Sequence, residues 1–481
     1  MNTKMVFSTT GRILRLEAIL MLLPFVVSLL YRETKSAAAF GASILLCLIL
    51  GTVLRLLFRP KTDRIYAAEG FATVALTWLG MSALGAVPFV LSGEIPHYAD
   101  AFFETVSGFT TTGASILTDV EALSHGMLFW RSFTHWVGGM GVLVFVMALV
   151  PNLSDRSIHI MRAEVPGPIV GKLVPRIKDS AKILYLIYVV LTALEAVILI
   201  ACGMSVFDGV VHAFATAGTG GFGIKADSAG SYAPQLQWIL GIFMMLFGVN
   251  FNLYYLVLIK KFKTALKSGE LWCYCIIIAL SSALIAFNIR SLYPTVSETI
   301  RHAFFQVSSI ITTTGFATTD FNLWPEFSKT LLVVLMFVGG CAGSTAGGLK
   351  VSRVMILFKS VGREIHRMLH PRAVRTVKLE GKPLEDKTIW GTTNYLTLYF
   401  ICLLLILLAL SVEPFDFTTN FTAVASCFNN IGPGLNVVGP MGSFAGYSAY
   451  GKILLSFAML LGRLEIYPLL LALIPSTWRR K

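Results

Sequence analysis

Two copies of a threonine-rich stretch contain the residues of this sequence that could do chemistry. The chain reads FTTTGAS at residues 109–115 and IITTTGFAT at 310–318. Threonine offers a carbonyl and a hydroxyl oxygen, and glycine permits backbone angles closed to other residues. Such stretches can turn several oxygens toward one point and bind a cation without a carboxylate. A monovalent cation suits this site better than Ca²⁺ or Mg²⁺, which require carboxylates or retained waters.

Two weaker copies complete a fourfold repeat. ATAGTGG ends at Gly221 and FNNIG ends at Gly432, and with Gly113 and Gly315 these glycines recur about every hundred residues. Six residues before each glycine stands a small residue: Ser107, Ala215, Ser309 or Ser426. One such stretch could equally be a turn or a helix end. Four copies in matched surroundings predict one shared site.

The segments around each copy must position it, and they indicate membrane helices. The 481-residue chain is 55% hydrophobic and 14% charged, whereas soluble proteins contain about 25% charged residues. The first long apolar spans are Phe71–Leu91, Ile183–Cys202, Leu271–Ile289 and Ile389–Val412. An apolar segment of about twelve residues then leads into each copy, which is too short to cross a bilayer and predicts a re-entrant half-helix. The second long spans are Met127–Val150, Gln235–Ile259, Leu331–Phe358 and Lys452–Ile474.

This order predicts an all-α polytopic membrane protein with four helix–half-helix–loop–helix units around one central pore. Two N-terminal apolar runs, Ala18–Leu30 and Ala37–Leu57, add a helical hairpin and give about ten transmembrane helices. The charged residues at 32–35 argue against the alternative, a cleaved signal peptide. The predicted limits are 1–65 for the hairpin and 66–155, 156–265, 266–375 and 376–481 for the four repeats.

The net charge of +13 is unevenly distributed. Most lysines and arginines lie at the two termini and in four loops: Arg55–Arg64, Arg156–Lys182, Lys260–Lys267 and Lys350–Lys387. This pattern predicts that both termini and these loops are cytoplasmic and are attracted to anionic membrane lipid. It does not form the basic folded face that nucleic acid requires. The seven cysteines include no CxxC pair and predict neither disulfides nor a metal site.

A glycine-rich stretch interrupts the second span of the third repeat. Residues 330–359 would reach about 45 Å as one straight helix, which is too long for the hydrocarbon layer. Each glycine in GGCAGSTAGGLK costs a helix ~1 kcal/mol relative to alanine. We predict an unwound intramembrane loop below the cation site, with a glycine-packed helix kink as the alternative. The candidate gate residues are Gly339, Gly340, Gly343, Gly347, Gly348 and Lys350. The alternative for Lys350 is that it only ends the loop at the cytoplasmic face.

Charged residues within or beside the spans are further candidates. Arg463 lies inside the last span, where an arginine costs about 2.5–3.5 kcal/mol, so it should face the pore or a partner. In the pore it would repel cations and act on the gate; the alternative is structural pairing with Glu465 or with loop carbonyls. Asp100 and Glu104 flank the first half-helix and either concentrate cations at the outer mouth or are merely solvated.

The chain resembles the Trk/Ktr/HKT superfamily of potassium transporters, and its TrkH-type subunits in particular, in the motifs SGFTTTGAS, FWRSFTHWVGGMG, SSIITTTGFATTDF, FVGGCAGSTAGGLKVSR, FNNIGPG and LLGRLEIYPLL. The likeness spans nearly the whole chain. It implies a K⁺ filter whose carbonyls come from the two residues before each of the filter glycines, Gly113, Gly221, Gly315 and Gly432. Those residues are Thr111, Thr112, Thr219, Gly220, Thr313, Thr314, Asn430 and Ile431. Repeats two and four depart from the Thr-Thr pattern, so the ring is not fourfold symmetric.

The resemblance also implies how such a subunit works. It implies K⁺ uptake across the bacterial inner membrane, no organic cofactor in this chain, and gating by the Gly339–Lys350 loop. It further implies a homodimer that binds cytoplasmic nucleotide-binding subunits of the TrkA type. Plant relatives that carry Na⁺ have serine at the first filter glycine, so Gly113 resembles the potassium arrangement. A sodium-selective pore, and coupling to H⁺ or Na⁺ as in members described as symporters, stay open.

An intramembrane enzyme is the alternative from another class of protein. The residues near the outer ends of spans or half-helices include His125, His135, His212 and His302. None of these histidines stands in a nucleophile elbow, an HExxH motif or a paired-carboxylate context. We therefore predict that the chain is not an enzyme.

Overall fold

The computed structural model describes residues 1–60, 67–141, 177–373 and 375–478. The helices are α1 (Thr3–Leu20), α2 (Leu22–Leu30), α3 (Thr34–Leu57), α4 (Ala67–Gly85), α5 (Val87–Ser92), α6 (Tyr98–Phe109), α7 (His125–Gly139), α8 (Ile177–Ala201), α9 (Val206–Ala217), α10 (Pro234–Phe247), α11 (Phe251–Leu258), α12 (Phe262–Leu266), α13 (Gly269–Ile289), α14 (Val296–Ile311), α15 (Glu326–Val338), α16 (Val351–Leu369), α17 (Asp386–Leu410), α18 (Phe417–Asn429), α19 (Ala449–Arg463), α20 (Tyr467–Leu473) and α21 (Pro475–Trp478). Short 3-10 helices lie at Phe321–Leu323 and Asn436–Val438, and strand β1 (Lys378–Leu379) pairs antiparallel with β2 (Lys382–Pro383).

Among the described residues, six helical segments are long and apolar enough to cross a membrane. They are Thr3–Leu30, Thr34–Leu57, Glu69–Ser92, Ala181–Ala201, Gly269–Ile289 and Asp386–Leu410, which are the hairpin and the first span of each repeat. Large apolar side chains on them point outward, as lipid-facing residues do; Phe287 is 68% exposed and Leu408 is 70% exposed. The predicted all-α polytopic class is confirmed.

Within the described residues, the second spans of repeats two and four are broken. In repeat two, α10 and α11 meet at an angle of 91° across residues 248–250. In repeat four, α19 ends at Arg463, and Glu465 and Ile466 take left-handed backbone conformations before α20. These two second spans are therefore pairs of shorter helices, and bonds to other elements satisfy the freed backbone groups at the break in repeat two. The limits at 65 and 155, the end of the span Met127–Val150, and most of the basic loop 156–182 lie outside the described residues.

The half-helices α6, α9, α14 and α18 arrange the four units in a closed cycle. Each half-helix packs against the second helix of the preceding unit: α9 on α7, α14 on α10, α18 on α15, and α6 on α19. Polar caps start two of them, since Ser205 accepts a hydrogen bond from Asp208 N and Thr295 from Glu298 N. The cycle therefore brings all four C-terminal ends, where the threonine-rich stretches begin, to one place.

Candidate ion-binding site

The four half-helices end in one type of C-terminal cap. After α6, Thr112 N donates to Ser107 O over 2.8 Å and Thr111 N donates to Gly108 O over 3.1 Å, the two bonds of a Schellman motif. The bond that spans five residues recurs in the other units, where Gly220 N donates to Ala215 O, Thr314 N to Ser309 O, and Ile431 N to Ser426 O. The small residues six positions before each glycine are thus the carbonyl acceptors of these caps.

The backbone alternates in handedness through each stretch. The residue two before the glycine is left-handed in every copy, with φ of 54° at Thr111, 53° at Thr219, 57° at Thr313 and 56° at Asn430. The filter glycine is left-handed as well, whereas the residue between them is not. Alternating handedness turns successive carbonyls to the same side of the chain. The left-handed form costs a threonine about 1–2 kcal/mol, so the caps and the packing must hold it.

The carbonyls before the glycines form a closed ring. A side-chain Cβ added at any filter glycine would collide with the carbonyl oxygen that precedes the next unit's glycine. The distances are 2.0 Å from Gly113 to Gly220 O, 1.9 Å from Gly221 to Thr314 O, 2.1 Å from Gly315 to Ile431 O, and 2.8 Å from Gly432 to Thr112 O. The last pair returns to the first unit, so the four stretches adjoin one another in chain order around one axis.

The threonine hydroxyls mostly brace the loops. Thr112 Oγ1 lies 2.8 Å from Thr110 Oγ1 and accepts a hydrogen bond of 2.9 Å from Asn430 Nδ2. In the third unit, Thr314 Oγ1 lies 2.8 Å from Thr312 Oγ1. Thr112 and Thr314 therefore use their hydroxyls to brace the loops, and the bond from Asn430 links units one and four directly.

Above the ring lies a cavity of about 320 Å³ that all four filter glycines line. The acidic residues predicted near it are paired. Glu104 is buried and its carboxylate lies 2.8 Å from the guanidinium of Arg131, while Asp100 lies 2.6 Å from Lys452 Nζ. Glu104 also accepts a bond of 3.0 Å from Ile116 N. Glu104 therefore braces the loop that follows the first filter glycine. The prediction of a solvated charge at the outer mouth was wrong for this residue.

Below the ring, the loop between α15 and α16 is unwound as predicted. Gly339, Gly343, Gly348 and Lys350 all have positive φ. Gly347 N donates to Thr313 Oγ1 over 2.6 Å, and a Cβ at Gly347 would lie 2.4 Å from Asn429 O. The loop therefore fills the space directly beneath units three and four of the ring.

The broken helix of repeat two holds this loop from the side. Cys341 N donates to Gly248 O over 2.9 Å, and Phe251 N donates to Gly343 O over 3.1 Å. Glu270, at the start of α13, accepts from Ala342 N over 2.7 Å. The backbone groups freed by the 248–250 break are thus used by the loop.

Two cations, the buried Lys350 and the partly buried Arg463, complete the underside. Arg463 donates to Thr345 O in the loop over 3.0 Å, and to Gly139 O at the end of α7 over 2.7 Å. Lys350 is buried and donates to Ala346 O. Glu465 pairs with Arg353, at 3.1 Å. The contact of Arg463 with a loop carbonyl is one of the two alternatives predicted for this residue. Its bonds also tie the loop of unit three to the end of α7 in unit one.

His135 is a site residue that sequence reasoning missed. It is buried on α7, and a Cβ at Gly220 would lie 1.6 Å from its Nδ1 atom. The centroid of its ring lies 4.2 Å from that of Phe222. The guanidinium carbon of Arg131 lies over the same Phe222 ring, 4.1 Å from its centroid. Repeat two therefore has glycine where units one and three have threonine because the His135 imidazole occupies that space. No motif signals this contact, since the two residues are distant in the sequence.

The fold and the ring define a polytopic membrane protein in which four re-entrant half-helices end at one circle of backbone carbonyls. The family model described as "TrkH: Cation transport protein" matches residues 36–272 and 284–479. The chain belongs to the TrkH family of cation transport proteins.

Full-length relatives and a solved structure agree with this family. The chain is 37% identical to the Trk system potassium uptake protein TrkH of Salmonella typhimurium, over 98% of this chain and 99% of that protein. It is 34% identical to the Trk system potassium uptake protein TrkG of Escherichia coli, over the whole of both chains. The crystal structure of the potassium transporter TrkH from Vibrio parahaemolyticus superposes with a TM-score of 0.89 at 32% identity and covers both chains entirely.

Proposed function

We propose that the chain is the K⁺-selective, ion-conducting subunit of a potassium uptake system in the bacterial inner membrane, with both termini cytoplasmic. The observation that carries the proposal is the closed ring formed by the carbonyls of Thr112, Gly220, Thr314 and Ile431. The names of the relatives, potassium uptake proteins of a Trk system, support K⁺ as the ion and uptake as the direction.

The ring binds K⁺ by replacing water with carbonyl dipoles. Thr111, Thr219, Thr313 and Asn430 supply a second set of carbonyls one residue earlier. Each half-helix points its C-terminal end at the ring, and such an end carries about half a negative charge. No carboxylate belongs to the ring, so the ion is attracted by carbonyl dipoles rather than by full negative charges. This attraction is strong enough to admit a weakly hydrated monovalent cation and weak enough to release it.

The loop Gly339–Lys350 acts as the gate. It lies directly below the ring, and Arg463 and Lys350 place two positive charges under the ion path. Conduction requires the loop to leave this position, which breaks the Gly347–Thr313 and Arg463–Thr345 hydrogen bonds. The closed arrangement is therefore stabilised jointly by units one, three and four.

Regulation belongs to partners rather than to an organic cofactor in this chain. A homodimer of this subunit binds a cytoplasmic ring of TrkA-type nucleotide-binding subunits, and the basic loops Lys260–Lys267 and Lys350–Lys387 form the contact. The relatives' names support a system of several components. Membrane lipid surrounds the assembly, and no nucleic acid is involved.

The experiment is ⁸⁶Rb⁺ uptake into liposomes that contain the full-length protein. We expect excess K⁺ to suppress tracer uptake and excess Na⁺ to leave it largely unchanged. A variant lacking residues 341–346 is measured in parallel, because it removes the gate while leaving the ring, and it should take up tracer faster with the same preference. Equal competition by Na⁺ and K⁺, or absence of uptake in both proteins, would refute the proposal.

A further inference from the structure

A cavity of about 510 Å³ lies between α1 and α3, at the end of the hairpin where α1 begins and α3 ends. The polar residues that line it are Arg12 and Arg15 from α1, Arg55 from the last turn of α3, Arg59 just after α3, and the hydroxyl residues Ser8 and Thr52. No acidic residue is among its described lining residues. The cavity is therefore a concave surface of one charge sign, remote from the ring and the gate loop.

A close helix crossing brings the four arginines together. A Cβ at Gly11 would lie 2.7 Å from Gly51 O, so glycines let the antiparallel backbones of α1 and α3 approach closely. The Arg15 stem lies against α3, since its Cγ would be 2.7 Å from a Cβ at Gly51. Arg15 is half-buried, and its long stem allows the guanidinium to extend into the cavity beside the more exposed Arg12 and Arg55.

Among the residues that the structure describes, these arginines have no acidic partner. Within residues 1–60, 67–141, 177–373 and 375–478, no hydrogen bond or ion pair to any of the four is found. Other arginines of the same chain do have acidic partners: Arg131 with Glu104, Arg353 with Glu465, and Arg363 with Asp386. Like charges gathered around one cavity repel one another unless an anion lies between them. The arrangement is thus that of a site for an anion from outside the chain.

We propose that this cleft binds the phosphate group of an anionic phospholipid. Guanidinium groups bind phosphate oxygens in pairs, which favours phosphate over a halide. The cleft lies where the apolar spans end, at the level of lipid headgroups. Val53, Leu56 and Leu57, on the adjoining surface of α3, are 42%, 55% and 68% exposed and can contact acyl chains. These apolar side chains favour a lipid over free phosphate, which shares the same headgroup chemistry.

Native mass spectrometry of the full-length protein in detergent tests the proposal. Phosphatidylglycerol, phosphatidylcholine and inorganic phosphate are added separately, and the retained molecules per chain are counted. The test variant is Arg12→Gln/Arg55→Gln/Arg59→Gln. The matched control is Arg32→Gln/Lys35→Gln/Arg290→Gln, which removes the same charge from exposed positions outside the basic loops. A third protein replaces the same three arginines with lysine, so that the charge that sets membrane orientation is kept.

The expected result is retention of phosphatidylglycerol by the wild type and the control. Retention should fall at least about tenfold in the glutamine variant, because three charge-assisted hydrogen-bond donors to the phosphate are removed. The lysine variant should show an intermediate loss. Retention unchanged in the glutamine variant, or lost equally in the control, would overturn the proposal. Retention of inorganic phosphate in place of phosphatidylglycerol would overturn the lipid as the source of the phosphate.

Discussion

At the scale of single residues, the site depends on backbone conformations that its side chains disfavour. Threonine is β-branched and disfavours the left-handed backbone conformation, yet all three threonines two residues before a filter glycine adopt it: Thr111, Thr219 and Thr313. The cap hydrogen bonds and the burial of these threonines offset the cost. What this strain provides is a set of carbonyls that face one axis. The glycine that follows is required for a second reason, because the neighbouring unit's carbonyl occupies the space of a Cβ.

Replacing Gly113 by serine tests that steric requirement. Its Cβ would lie 2.0 Å from Gly220 O, so one carbonyl of the ring must move. We expect the preference for K⁺ over Na⁺ in ⁸⁶Rb⁺ competition to fall by about tenfold or more, since one lost ion contact is worth ~1.5–3 kcal/mol.

Gly93→Ser is the matched control for this substitution. Gly93 has the same left-handed φ of 80° but nothing within 4 Å of its Cβ position. It should lose some stability from backbone strain and keep its ion preference. If both variants lose the preference, or if neither does, the assignment of Gly113 to the ring is wrong.

The contact of His135 with Gly220 gives a prediction of rescue. Gly220→Ala places a methyl group on the imidazole and should destabilise the ring by about 1–3 kcal/mol through overpacking. Gly220→Ala/His135→Ala restores the space and should regain part of the lost K⁺ preference and thermal stability. Strictly additive losses in this double-mutant cycle would show that the two residues do not share the space.

Glu104→Gln separates bracing from electrostatic attraction. Breaking a buried ion pair leaves Arg131 uncompensated and costs about 3–5 kcal/mol, so we expect a lower unfolding temperature of the purified protein. Asp119→Asn, at an exposed acidic residue of the outer surface, is the control and should leave stability unchanged. Equal stability of the two variants would contradict the bracing role.

Residue patterns predicted part of this site. The filter glycines and the small residues six positions earlier were recognisable because backbone geometry demands them in each copy. The packing of His135 on Gly220 was not, because a contact between two units leaves no local pattern. The pairing of Glu104 with Arg131 was missed for the same reason.

At the scale of elements, the first and second helices of each unit differ in a way that hydropathy does not reveal. First spans such as Gly269–Ile289 are continuous and face lipid, whereas the second spans of units two, three and four are broken. A break is tolerated where other elements use the freed backbone groups, as the loop does at Gly248 O. The glycine-rich loop in unit three was predictable from composition. The bend at 248–250 was not, because its partners come from another unit.

Arg463→Gln tests the hold on the gate loop. The change removes the charge-assisted bonds to Thr345 O and Gly139 O, so the closed loop should lose about 1.5–3 kcal/mol. Tracer leak through otherwise resting protein should then rise about tenfold or more.

Arg363→Gln is the control, because Arg363 pairs with Asp386 on the exposed surface, away from the loop. Its leak should match the wild type. An Arg463→Gln variant with unaltered or slower leak would contradict the gating role of this arginine.

At the scale of the whole molecule, four similar units in one chain form a closed cycle without being identical. Unit two supplies the glycine that admits His135, unit three supplies the gate loop, and unit four supplies Arg463. A single chain permits such specialisation, whereas four identical subunits would repeat every feature. Repetition in the sequence predicted the cycle, and the departures from repetition add contacts between units that the repeat alone does not predict.

Anomalous diffraction from crystals grown with Rb⁺ in place of K⁺ tests the central claim most directly. The account predicts an ion peak on the axis of the ring, in contact with the carbonyl oxygens of Thr112, Gly220, Thr314 and Ile431, and no such peak in Gly113→Ser crystals. A peak coordinated by side-chain carboxylates elsewhere, or an empty ring at saturating Rb⁺, would contradict it.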